Sequence, residues 1–110
     1  MKKITFQITM PVKEVSKNKE FIVKVDNHAT FVNALAKVDK FAMAHPEKAH
    51  FSDDHNYIRS YLQLFWDPKE NEIYSDIRVF AASPKGFMPI ERNINFNLHN
   101  DSEISLTSSS

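Results

Sequence analysis

Three histidines, His45, His50 and His55, recur at five-residue intervals, and Asp53 and Asp54 stand directly before the third. Imidazole nitrogen and carboxylate oxygen together suit zinc or another divalent ion, so His45, His50, His55 and Asp54 form a conceivable metal-ligand set. The spacing works against it. On a helix five residues advance about 140° beyond a full turn, and on a strand an odd step changes face, so these rings converge only if the loop wraps around an ion. A solvated polar loop is the favoured reading, and no metal or other cofactor is assigned. Asp53 and Asp54 are also the adjacent acidic pair outside a strand or turn edge. Sequence neighbours share a proton only where the backbone aims both into one pocket, so no catalytic residue is assigned to them and an enzyme is not expected.

Composition removes further chemistries. The 110 residues contain no cysteine, which excludes thiol nucleophiles, disulfides and thiolate metal sites. Gly86 is the sole glycine. Phosphate-cradling loops and the nucleophile elbow each need several glycines so that backbone N–H groups can approach a ligand or a turn can tighten, so both are absent. Fourteen basic residues balance fourteen acidic ones, leaving no net field to attract a phosphate backbone or an anionic bilayer. No stretch reaches the roughly 20 apolar residues of a membrane span. The opening MKKITFQITM carries the charges of a signal peptide but alternates polar and apolar residues, so it reads as a strand of a cytoplasmic protein.

The elements follow from periodicity. Ile4, Phe6, Ile8 and Met10 alternate with Thr5, Gln7 and Thr9, and after the polar connection KEVSKNKE the same period returns in Phe21, Val23 and Val25, which predicts an antiparallel hairpin. Thr30 is the expected N-cap of a helix whose stripe is Phe31, Leu35, Val38 and Ala42, widened by Ala34 and Phe41. Asn33, Lys37 and Lys40 take its far side, and Pro46 ends it. A polar loop over 47–56 should lead to a third strand ending at Trp66, with Ile58, Ser60, Leu62, Leu64 and Trp66 on one face and Tyr57, Arg59, Tyr61, Gln63 and Phe65 on the other. DPKEN turns the chain into a fourth strand carrying Ile73, Ile77, Val79 and Ala81. Ile94, Phe96 and Leu98 mark a short strand, and Ile104 and Leu106 alternate with Glu103, Ser105 and Thr107 in the last. One domain over residues 1–110 is expected, in the α+β class: a mixed sheet with one helix packed on one face.

The order of two strands, helix and several strands, with ATFVNAL opening the helix and LHNDSEISL closing the chain, resembles the ubiquitin-like β-grasp fold. The resemblance implies that the final strand lies parallel to the first at the centre of the sheet, and that partners bind through the sheet face. Ubiquitin-like modifiers and the small sulfur carriers of cofactor synthesis share this outline, and both use a C-terminal Gly-Gly that becomes adenylated. Ser108, Ser109 and Ser110 stand at those positions here, so a relative lacking the reactive tail is the alternative reading.

The strongest functional expectation concerns the aromatic face. Tyrosine and arginine combine an apolar body with a polar tip, which favours them at protein contacts. Tyr57, Arg59, Tyr61, Gln63 and Phe65, joined by Ile22, would bind a protein partner or a second copy of the chain, unless Phe87, Met88, Pro89 and Ile90 fold back over them. Single-stranded nucleic acid is disfavoured, because only Arg59 within that stripe could meet a phosphate.

Overall fold

The computed structural model describes residues 1–12, 15–50, 60–84, 86–87 and 98–108. Two long strands open the chain, β1 (Lys2–Val12) and β2 (Val15–Val25), paired antiparallel from Lys2↔Val25 to Val12↔Val15. The hairpin is longer than the apolar alternation indicates. Residues 15–20 of β2 are largely solvated on both faces, so no hydrophobic period marks them. Cross-strand polar bonds hold this part instead: Gln7 Nε2 donates to Glu20 Oε2 at 2.5 Å, Asn18 Nδ2 to Gln7 Oε1 at 2.7 Å and Thr9 Oγ1 to Asn18 Oδ1 at 3.0 Å.

Helix α1 (Phe31–Ala44) begins and ends where capping chemistry requires. Asn33 Oδ1 reaches back to accept the N–H of Thr30 at 3.0 Å. At the other end His45 N–H donates to Phe41 C=O, and Pro46 starts a separate 3₁₀ turn, Pro46–Lys48. Phe31, Ala34, Leu35, Val38 and Ala42 are buried as the stripe predicts, while Phe41 remains 39 % exposed.

The last long strand, β7 (Ser102–Ser108), lies parallel to β1 with Ile4↔Ser102 and Ile8↔Leu106 in register. On its other side it pairs antiparallel with β5 (Ile77–Ser83), from Ile77↔Ser108 to Ala82↔Glu103. The two-residue strand β6 (Gly86–Phe87) folds back on the end of β5, and the φ of +118° at Gly86 is a backbone conformation that side chains resist. The sheet order is β2-β1-β7-β5-β6, so the first and last long strands sit in the interior and β2 forms an edge. This is an α+β architecture compatible with a β-grasp outline.

The core lies between the sheet and α1. Ile4, Phe6 and Ile8 of β1, Ile104 and Leu106 of β7, and Phe31, Leu35 and Val38 of α1 are all fully buried, each worth roughly 1.5–3 kcal/mol of apolar transfer. The rings of Phe6 and Phe31 meet edge to face with centroids 6.1 Å apart. The entry to β7 is fastened to β1: Asp101, at φ 60°, donates its N–H to Lys3 C=O, and Asn100 Oδ1 accepts the N–H of Lys3. Buried Lys2 sends its ammonium to the carbonyls of Leu98 at 2.7 Å and Ala29 at 3.2 Å, tying this corner to the turn before α1.

Two expectations are corrected. Ile73 does not belong to the strand containing Ile77. It lies in β4 (Glu72–Ile73), which pairs with β3 (Trp66–Asp67) as a separate two-stranded ribbon. The predicted third strand ends not as a strand but as a helix, α2 (Tyr61–Phe65). Ile94 and Phe96 lie outside the described residues, whereas Leu98 is buried as expected.

Candidate partner-binding surface

The helical turn α2 reassigns the aromatic residues. In a strand Tyr61 and Phe65 would share the outer face, but in a helix positions i and i+4 share the inner one. Tyr61 is fully buried and Phe65 is 1 % exposed, their rings stacked with centroids 5.9 Å apart and planes 9° apart. Tyr61 also meets Phe21 of β2 edge to face at 5.6 Å. Both rings are therefore core, and the open aromatic sheet face expected at this segment is not formed by them. Gln63 is exposed, Leu62, Leu64 and Trp66 are half-buried, and Tyr57 and Arg59 lie outside the described residues. The side chains of residues 87–90, expected as a possible cover, are likewise outside them.

A capping signal was present in the sequence. Ser60 precedes Gln63 by three residues, the pattern that opens a helix, and Ser60 Oγ accepts the N–H of Gln63 at 3.3 Å. The second part of the cap comes from far away. Asp39, on α1, accepts from Tyr61 N–H at 2.6 Å, Ser60 Oγ–H at 2.8 Å and Leu62 N–H at 3.3 Å. Burial raises the Asp39 carboxyl above its ordinary value, with these three bonds pulling the other way. Asp39 stands on the apolar stripe itself, four residues after Leu35 and three before Ala42, so a carboxylate on the buried face is the signal the sequence carries, and its partners appear only in the fold.

His50 is also structural. Its ring is nearly buried, Nδ1 lies 2.7 Å from the Tyr61 hydroxyl, Nε2 lies 2.8 Å from Lys17 C=O, and its backbone N–H donates to the same hydroxyl at 3.2 Å. A carbonyl can only accept, which places the ring proton on Nε2 and leaves Nδ1 to accept from Tyr61 O–H. Burial lowers the His50 pKa, opposed by the Lys17 carbonyl and reinforced by the charge of Lys19. Burial likewise raises the Tyr61 phenol. With both ring nitrogens engaged, His50 does not present a lone pair to a metal. His45 caps α1, lies against the Phe41 ring with centroids 4.8 Å apart, and is 3.6 Å from Glu47. Among the described residues no group of three or more His, Asp or Glu side chains is placed to hold a metal ion. His55 and Asp54 fall outside those residues.

Two exposed apolar residues, Ile22 and Phe41, meet at the outer edge of β2. Lys3 turns its N–H and C=O toward Asn100 and Asp101, away from β2. Its antiparallel partner Lys24 therefore directs its own backbone groups out of the sheet, and by strand alternation Ile22 and Glu20 do the same. Lys37 Nζ takes the outward carbonyl of Lys24 at 2.7 Å. Among the described residues no partner reaches the outward backbone groups of Ile22 or Glu20. Between this edge and α1 runs an open groove of about 470 Å³, lined by Val23, Lys24, Lys37, Lys40, Phe41, Ala44 and His45. A smaller recess of about 120 Å³ adjoins it, bounded by Glu20, Phe21, Ile22, Val23 and Phe41. Ile22 is 57 % exposed beside it. Lys37 and Lys40 are exposed as their far-side positions predict, whereas Phe41, expected in the buried stripe, is 39 % exposed, and their meeting with β2 at one edge depends on how α1 crosses it.

No family model, curated protein or solved structure matches this chain. No helix among the described residues is long and apolar enough to cross a membrane.

Proposed function

We propose that this chain is a cytoplasmic β-grasp domain of the ubiquitin-like kind that acts without catalysis, as a protein-interaction module. Its working surface is the outer edge of β2 together with the neighbouring groove on α1, rather than an aromatic sheet face. The observation that carries this reading is the pair of backbone positions, Glu20 and Ile22, that have no outward partner among the described residues, beside exposed apolar Ile22 and Phe41. An edge strand with free N–H and C=O groups templates the addition of another strand, and adjacent apolar recesses take that strand's alternate side chains.

The test uses Ile22→Pro and Ile22→Ala. Proline deletes an outward N–H that bonds to nothing in the β1–β2 ladder, and edge strands tolerate it. Alanine keeps the N–H. Cross-linking in cells should trap a partner with wild type and Ile22→Ala and lose it with Ile22→Pro, while melting temperatures show all three folded. Equal trapping by the proline variant overturns the reading.

A further inference from the structure

We propose that the occupant of this edge is an extended, acidic segment of a partner protein, added antiparallel or parallel to β2 with its carboxylates over the lysine end of the groove. This rests on the docking surface proposed above and identifies the chemistry of what docks there.

The charge distribution carries the argument. The chain as a whole is neutral, with fourteen positive and fourteen negative residues, yet the groove is not. Lys24, Lys37 and Lys40 line it with His45, and the rest of its lining among the described residues is apolar, the nearby carboxylate of Glu47 standing 3.6 Å from His45. Two of the lysines come from α1 and one from β2, so the cluster exists only because helix and edge strand lie side by side. Lys37 is held in place by its bond to the Lys24 carbonyl, which fixes a cation at the lip of the edge. Glu20 borders the smaller recess, but Lys17 and Lys19 stand beside it on β2 and its carboxylate accepts from Gln7 Nε2, so positive charge predominates along the edge. A segment that carries carboxylates beside an apolar stretch matches this excess. Opposite charges across a partly exposed contact steer encounter and set register. A second copy of the chain fits less well, because its β2 edge carries Lys17, Lys19 and Lys24 against the single Glu20 and would set like charges together.

The probes are two short synthetic peptides with the same Val/Ile-rich centre, one flanked by glutamates and one by lysines, titrated into the isotope-labelled full chain and followed by NMR. The glutamate peptide is expected to shift the amides of Glu20, Ile22, Lys24 and Phe41. The combined Lys24→Glu and Lys40→Glu variant should weaken it by about tenfold at an unchanged melting temperature, as should high salt. Equal binding of the lysine-flanked peptide at the same amides overturns the acidic partner and leaves the strand-addition reading standing. If neither peptide shifts these amides, both fall. Concentration-dependent shifts there without peptide would make a second copy the occupant, and stronger shifts from a single-stranded oligothymidine would make it a nucleic acid; either overturns the proposal.

Discussion

The two ends of the core are held by different physics. Where β1, β7 and the first half of α1 meet, Ile4, Phe6, Ile8, Ile104, Leu106, Phe31 and Leu35 pack as a dry apolar layer. Where β2, α2 and the second half of α1 meet, Tyr61 and Phe65 are equally buried, but their position is set by directional bonds among Asp39, Ser60, His50, Tyr61 and the Lys17 carbonyl. Apolar contact is tolerant of angle, whereas a buried donor or acceptor without its partner is costly. The first region should therefore respond to lost volume, and the second to lost partners and to pH.

The largest effect is expected from Phe6→Ala, which empties a fully buried ring site in the apolar layer and should cost about 3–5 kcal/mol in urea unfolding. A loss below about 1 kcal/mol would break the comparison at its firmer end. Next comes Asp39→Ala, which strands the Tyr61 and Leu62 amides and the Ser60 hydroxyl and should cost about 2–3 kcal/mol. Asp39→Asn keeps an acceptor and should cost less. Because the folded carboxyl is raised, the stability Asp39 contributes is fully present below the ordinary carboxyl value of 3.8 and is lost as pH rises through its folded value. Asparagine should remove that slope, and an unfolding series against pH on both proteins reads it directly.

Tyr61→Phe preserves the ring stack but removes the hydroxyl that serves His50 Nδ1 and the His50 amide, for an expected loss of about 1–2 kcal/mol. His50 provides a subtler comparison of opposite sign to Asp39. Its folded pKa is depressed, so its contribution is present above the ordinary value of 6.5 and is lost as pH falls through the folded value. Melting temperature should therefore drop on acidification below that value in wild type and drop less in His50→Gln; equal slopes would show that the imidazole is not the titrating anchor. The smallest effect belongs to Gln63→Ala, at an exposed position of α2, which should stay within about 0.5 kcal/mol in the same assay.

Periodicity was informative wherever one side of an element faces the core and the other faces water. Ile4, Phe6 and Ile8, Ile104 and Leu106, and the stripe from Phe31 to Ala42 were legible on that ground. The signal failed where that asymmetry ends. Residues 15–20 are wet on both faces of the hairpin, so their strand character is invisible to an apolar count. The run YLQLFW places apolar groups at both two-residue and four-residue intervals, so it fits a strand and a short helix alike. Ser60 and Gln63 could have tipped the choice toward helix, but the carboxylate that completes the cap stands more than twenty residues earlier, at Asp39.

The sequence alone thus determined which residues are apolar at which period, that thiol and glycine-loop chemistry are absent, and that an α+β sheet with one covering helix would form. Those properties are local, because periodicity and composition need no knowledge of distant partners. Only the tertiary structure decided that Tyr61 and Phe65 turn inward, that His50 spends both ring nitrogens on Tyr61 and Lys17, and that Lys24 meets Lys37 and Lys40 along one open edge. Each of these joins residues far apart in the chain, and the free energy that selects it exists only once β2, α1 and α2 have come together.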